Sequence, residues 1–260
     1  MSAPEVLAVL VAGAAAGAIN ALVGAGTLIT FSTLVALGLP PLTANVSNTV
    51  GIVAGSVTGA LGYRDRLAGQ GPRLKVLLPA SLGGAVVGAL LLLVLPAAAF
   101  RAIVPVLILL SVVLVVLQPR IRRHVAASRP DQGEGPAADP GTGPVGVGSW
   151  VAVLGTGVYG GYFGAAQGVL LLGVLGTWVD HDLQRVNAIK NVLAGATNAL
   201  AAVMFIALAH IDWEVAGLIL VGSLVGGWVG ARVGTRLPEA VLRAVIVVVG
   251  LVAVAILVLR

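Results

Sequence analysis

Six stretches of this chain, at about 44 to 62, 76 to 95, 102 to 117, 187 to 208, 214 to 231 and 239 to 259, are apolar over nearly the whole of their length. Each is close to the roughly 20 residues that carry a helix across a bilayer. Inside lipid the backbone N–H and C=O groups must be satisfied within the segment, so such runs fold as helices. Two further apolar regions, about 5 to 38 and 148 to 179, exceed 30 residues. At 1.5 Å per residue each would be about 50 Å long if continuous, too long for one straight span. Both are interrupted by small residues near the middle: Gly24, Ala25, Gly26 and Thr27 in the first, and Gly164, Ala165, Ala166, Gln167 and Gly168 in the second.

Composition agrees with a polytopic membrane protein, because 58% of residues are hydrophobic and only 10% are charged, far from a soluble domain. The 36 glycines favour close helix approach and broken helices in lipid. The start, Met1 to Val6, carries Glu5 and no Lys or Arg. It lacks the basic region of a cleaved signal peptide, so the first apolar segment is expected to stay.

The distribution of basic residues sets the threading. Arg64, Arg66, Arg73 and Lys75 mark one inner loop, Arg120, Arg122, Arg123 and Arg129 a second, and Arg232, Arg236 and Arg243 a third. Counting back through two crossings puts His210 to Asp212 outside and Asp180 to Arg185 inside. The region 148 to 179 must then enter and leave by one face, as a helical hairpin, and so must 5 to 38. Twelve of the fifteen basic residues fall inside on this count. One tilted helix per long region would instead give eight spans and parallel halves, stranding one basic cluster on the wrong face.

The expected fold is therefore all-α: a polytopic membrane protein of two inverted repeats, each a broken or re-entrant helical hairpin plus three transmembrane helices. The expected divisions are a first repeat at 1–117, a flexible cytoplasmic linker at 118–147 rich in Pro, Gly and acidic residues, and a second repeat at 148–260. Inverted repeats of this kind place one site at the midplane of many transporters.

A duplicated polar pattern marks where that site would be. Asn45, Asn48, Thr49 and Ser56 recur, position for position and at one constant offset, as Asn187, Lys190, Asn191 and Asn198. At about 100° per residue these spacings fall on one side of a helix, giving each half a narrow polar stripe. Lys190 is one of two lysines, and no Asp or Glu lies deep in any span. A buried ammonium needs an anion or strong acceptors, which leaves a substrate anion, backbone carbonyls, Asp182, or snorkelling to the inner interface as its partner. The second half-helices beginning after the two breaks offer N–H groups with partial positive charge, and Thr27 is a candidate N-cap. Matches such as Gly26 with Gly168 and Leu28 with Leu170 extend the register of the stripes to the breaks. Asn20, Tyr159, Tyr162 and Gln167 lie beside the breaks as further donors, or as helix–helix contacts. Gly222, Gly226, Gly230 and Gly234 form a small-residue seam for close packing.

Other chemistries lack their residues. There are no cysteines, and His124, His181 and His210 are expected in loops without metal-ligand spacing, so neither metal nor cofactor is expected. A Ser or Thr nucleophile would have no partnered His or Asp at depth, and an enzyme is not expected. The basic residues lack the interleaved aromatics of a nucleic-acid surface.

The chain resembles the TauE/SafE sulfite exporter-like family, also called the toluene sulfonate uptake permeases. The resemblance rests on Gly17 to Asn20, Gly24 to Ile29, Ala44 to Thr49, Gly62 to Arg64, Tyr159 to Gly168, and Asn187 to Asn191 with Asn198. It implies a multi-pass protein of the bacterial inner membrane that moves small sulfur-containing anions, sulfite or organosulfonates, coupled to an ion gradient of protons or sodium. The expected substrate-binding set is Asn20, Gly24, Gly26, Thr27, Asn45, Asn48, Thr49, Tyr159, Tyr162, Gln167, Gly168, Asn187, Lys190, Asn191 and Asn198. Another small anion, such as a carboxylate, sulfate or thiosulfate, remains an alternative substrate. A cation transporter and a non-transport membrane subunit are more distant alternatives, and a homodimer is a further expectation.

Overall fold

The computed structural model of the chain describes residues 1–127, 145–180, 182–233 and 239–259. Ten α-helices are formed among these residues: α1 (Ala3–Leu22), α2 (Thr27–Ala36), α3 (Pro41–Gly62), α4 (Gly71–Val94), α5 (Ala97–Ala127), α6 (Val147–Tyr162), α7 (Gln167–Trp178), α8 (Leu183–Leu208), α9 (Trp213–Val233) and α10 (Glu239–Leu259). Five of them, α1, α4, α5, α8 and α9, are long and apolar enough to cross a membrane. Helix α3 has the length, at 22 residues, but carries the polar stripe. The all-α polytopic architecture is thus present. Each over-long apolar region is a helix pair, α1 with α2 and α6 with α7, broken where the small residues stand.

The expected linker starts too early. Residues 118 to 127 continue α5, which runs for 31 residues in spite of Pro105 and Pro119. Tertiary packing holds this extension: Ile121 lies over Gly173 of α7 and packs against the apolar core. A proline removes one N–H from the helix ladder, a loss these contacts offset. His124, expected in a loop, is in the last turn of α5. Residues 128 to 144, His181, Gly234 and Arg236 lie outside the described residues.

The helix order repeats. Helices α3 and α8, α4 and α9, and α5 and α10 begin at 41 and 183, 71 and 213, and 97 and 239. Contacts are exchanged between the halves: α1 packs on α9 while α6 packs on α4, and α2 packs on α10 while α7 packs on α5. The glycine seam explains the tightness of the first pair. Gly222, Gly226 and Gly230 receive Leu10, Ala14 and Ala18 of α1, and a Cβ at Gly226 would lie 1.8 Å from the Ala14 carbonyl oxygen. In the other half Gly84 and Gly88 of α4 receive Leu154 and Val158 of α6. One hydrogen bond is exchanged in register. Ser81 Oγ of α4 donates to the Leu193 carbonyl of α8 at 3.4 Å, and Ser223 Oγ of α9 donates to the Gly51 carbonyl of α3 at 3.0 Å. The two serines, and likewise the two acceptors, are separated by the same offset as the stripes.

The two ends of the bundle gather different loops. At one end the Met1 amino group lies 3.4 Å from Glu214, and the Asp212 N–H donates to Ser47 Oγ at 2.9 Å. At the other, Arg73 pairs with Asp180 at 2.6 Å, both side chains 9% exposed, and Gln70 accepts a second Arg73 hydrogen bond. The loop of Arg64 to Lys75 and that of Asp180 to Arg185, both assigned inside from charge counting, therefore touch at this second end. Removing one partner of a buried pair strands the other's charge, at a cost of about 3–5 kcal/mol. Asp180→Leu is expected to destabilise the purified protein by that order in a reversible unfolding titration, and Arg73→Met added to it should recover most of the loss. A silent Asp180→Leu would show the pair to be solvated.

Candidate functional site

The two breaks are built alike. At the first, α1 ends at Leu22, the Val23 and Gly24 N–H groups both donate to the Ile19 carbonyl, and Gly24 turns the chain at φ +80°. At the second, α6 ends at Tyr162, the Phe163 and Gly164 N–H groups both donate to Tyr159, and Gly164 turns at φ +75°. The equivalent positions at the breaks are therefore Gly24 with Gly164 and Thr27 with Gln167, pairs that stand slightly closer in sequence than Asn45 and Asn187 do. This corrects the pairing of Gly26 with Gly168 and of Leu28 with Leu170. The cause is that α7 has 12 residues against 10 in α2, so the stripes that follow fall back into their own register.

The breaks touch each other. Gly168 N–H donates to the Gly24 carbonyl at 3.1 Å, and a Cβ on Gly168 would stand 2.4 Å from the Gly24 Cα. Two helix ends thus meet in the middle of the bundle at a contact only glycine admits. Gly26 is equally confined, since a Cβ there would lie 2.1 Å from the Ala16 carbonyl. Gly26, not Thr27, is the residue before the first turn of α2. Its carbonyl already accepts from Ile29, which leaves Thr27 inside the helix.

The stripes close over the cut ends, each serving the opposite half. Lys190 Nζ and Asn191 Nδ2 of α8 lie 3.4 and 3.3 Å from the Ala21 carbonyl of α1, and Asn45 Nδ2 of α3 donates to the Tyr162 carbonyl at 3.1 Å. The last carbonyls of a helix lack internal donors and carry the negative end of its dipole, so donors and a lysine are well placed there. Asn48 Oδ1 accepts from Thr30 of α2. Asn20 and Asn198 both donate to Ser56 Oγ at 3.3 Å, while Ser56 donates to its own helix. Asn198 and Ser56 are counterparts in the two stripes, so the stripes meet each other face to face at this point.

Several expected site residues do other work. Thr49 donates back to the Asn45 carbonyl. Tyr159 donates to the Ala165 carbonyl and lies 2.6 Å from Ser111 Oγ of α5, and Ser111 also bonds Ala165. These two hydroxyls fasten the second break to α5. The N–H groups opening α7 are spent too, on Gly164, Gly24 and Ala166 carbonyls. Ala166, at φ +60°, directs its carbonyl to both Val169 and Leu170, so this helix start is not the open donor array expected from its sequence. Asp182 caps α8 through the Gln184 N–H and does not pair with Lys190.

Lys190 is fully buried, and among the described residues no carboxylate pairs with it; the Ala21 carbonyl is its hydrogen-bond acceptor. On the two stripes and at the second break are buried polar atoms without partners: Asn48 Nδ2, Gln167 Nε2, the Tyr162 hydroxyl, Asn45 Oδ1 and Asn187 Oδ1. Each unmade bond of this kind costs about 1–3 kcal/mol. Three are donors, and the Asn187 amide can exchange its oxygen for a donor nitrogen by a flip, whereas Asn45 is held by its bond to the Tyr162 carbonyl. On the side of the breaks toward the Met1 end, Phe31, Phe163 and Phe100 form an edge-to-face cluster with centroids 5.2 and 6.4 Å apart, all buried.

A family model described as Sulfite exporter TauE/SafE matches residues 9–257. The chain belongs to the TauE/SafE sulfite exporter family. The match spans both halves and both breaks, and membership implies a membrane transporter of sulfur-containing anions such as sulfite. No curated protein and no solved structure gave a significant match. In this TauE/SafE protein the sequence signal for the site was the stripe spacing. It missed Ser111, a single hydroxyl in apolar α5, and Thr30, one of four hydroxyl residues in α2, and it missed the Ala21 and Tyr162 carbonyls, because backbone acceptors at a helix break carry no residue signature.

Proposed function

We propose that this chain is a secondary transporter of small sulfur-containing anions, sulfite or organosulfonates, working by alternating access around an anion site between the two breaks. The two five-helix halves act as inverted repeats across the membrane, with the Arg73 end cytoplasmic. Lys190 supplies the charge, Asn45, Asn48, Asn187, Asn191 and Asn198 supply donors, and Gln167 and Tyr162 complete the set from the second break. The observation that carries this reading is the burial of Lys190 with no acid paired to it among the described residues. A desolvated ammonium with a backbone carbonyl as its acceptor is costly, and an anion bound beside it removes that cost. Neutral amides with one lysine also hold an anion weakly enough for release. Proteoliposomes loaded with radiolabelled sulfite, together with a thermal-shift panel of sulfite, thiosulfate, sulfate, sulfonates and carboxylates, test it. Saturable sulfite or sulfonate flux and stabilisation by the same anions are expected. Stabilisation by cations alone, with no anion flux, would overturn it.

A further inference from the structure

Two cavities adjoin at the Arg73 end, and both include Leu61 and Arg64. The first, of about 370 Å³, is polar and lies between α3 and α9, lined by Thr58, Gly62, Asp65, Trp228 and Arg232 besides the shared pair. Arg232 lies over the Trp228 ring, 4.1 Å from its centroid, and Trp228 is 53% exposed on the lipid-facing surface. Arg64 is mostly exposed and only loosely paired with Asp65, at 3.7 Å. Two guanidinium groups against one carboxylate leave this cavity positive. An arginine stacked on a tryptophan at a helix end is a typical arrangement for the membrane–water interface.

The second cavity, of about 350 Å³, is a groove between α3 and α8. Its walls are Val57, Ala60, Val192, Gly195, Ala196 and Ala199, with Ser56 and Asn191 at the far end. Val57 and Leu61 on its rim are more than half exposed, so the groove opens sideways to the bilayer. From Gly62, the last residue of α3, to Ser56 is six residues, about 9 Å along the helix, a depth that belongs to the acyl region of one leaflet. A bare anion would not be stabilised by such walls. A positive polar cavity at the interface, continuous with an apolar groove descending into the leaflet, fits an amphiphile with an anionic head.

We infer that these two cavities form a binding site for an anionic phospholipid, its phosphate held between Arg64 and Arg232 and one acyl chain laid past Leu61 into the α3–α8 groove. The end of that chain reaches Ser56 and Asn191. The lipid therefore packs against Ser56, where the two stripes meet, and its presence supports that contact.

Delipidated full-length protein in detergent provides the test, read by thermal shift and by native mass spectrometry. Phosphatidylglycerol is expected to stabilise the wild type, whereas phosphatidylcholine and inorganic phosphate at the same concentrations are not. Arg64→Gln with Arg232→Gln should weaken phosphatidylglycerol binding on the order of tenfold or more. Ala196→Trp, which fills the groove from its α8 wall, should remove the preference for long-chain over dihexanoyl phosphatidylglycerol while leaving the melting temperature without lipid unchanged. Equal stabilisation by both lipids, unaltered binding in the double arginine variant, or retained chain-length preference in Ala196→Trp would each overturn the assignment. Saturation by inorganic phosphate would reassign the arginines to a free anion. Loss of a dimer in Ala196→Trp with lipid binding intact would give the groove to a second copy.

Discussion

Lys190→Met is expected to abolish saturable sulfite flux and to lower the affinity for the stabilising anion by about thirtyfold or more. Truncating one partner of a buried, hydrogen-bonded charge pair costs roughly 2–5 kcal/mol, and every 1.4 kcal/mol is about a factor of ten. The same substitution should leave the anion-free protein as stable as the wild type or more so. Methionine fills the volume of the lysine stem without a buried charge, and Asn191 continues to cap the Ala21 carbonyl. Opposite effects on anion binding and on stability separate a binding role from a packing role. If Lys190→Met instead lowers stability and leaves the affinity of the folded fraction unchanged, the lysine is a helix cap and nothing more. Asn191→Ala is the companion measurement. It removes a neutral donor and should weaken binding far less than Lys190→Met.

How the site came to be legible follows from what lipid does to sequence. Polar side chains are so costly in a span that their register survives as a pattern, and Asn45 to Ser56 with Asn187 to Asn198 could be read directly. The breaks were legible for a similar reason: two apolar regions too long for one crossing and interrupted by small residues leave few alternatives to a hairpin. Other features had no such marker. Pro119 followed by Arg120, Arg122 and Arg123 reads as the start of a loop, but Ile121 finds contacts with α7 and the apolar core that keep α5 helical. Ser81 and Ser223 share the offset of the stripes, yet a serine can satisfy itself on its own helix, so neither announces the interhelical bond it makes. The difference in length between α2 and α7 shifts the breaks out of the register of the stripes, and small residues are too common in this chain for the shift to show.

The contact between the breaks determines the second large effect. Gly168→Ala is expected to be strongly destabilising, because its Cβ would stand 2.4 Å from Gly24 Cα and 3.1 Å from the Gly24 carbonyl oxygen. Both neighbours are backbone, so no side chain can rotate away. Relief requires the breaks to separate, which forfeits the Gly168 N–H to Gly24 hydrogen bond and loosens the Phe31–Phe163 packing beside it. Overpacking of a rigid core costs about 1–3 kcal/mol, occasionally more, and the lost buried hydrogen bond adds about 1 kcal/mol. Gly69→Ala is the appropriate comparison: Gly69 has φ +77° with nothing within 4 Å of where a Cβ would stand, so its cost is only the left-handed backbone, about 1–2 kcal/mol. In an unfolding titration Gly168→Ala should therefore fall clearly below Gly69→Ala, and its flux per folded molecule should drop at least tenfold while that of Gly69→Ala holds. Equal losses in the two variants would mean that the breaks do not bear on each other in the membrane. The lysine, the amides and the two helix ends would then belong to separate halves rather than to one site.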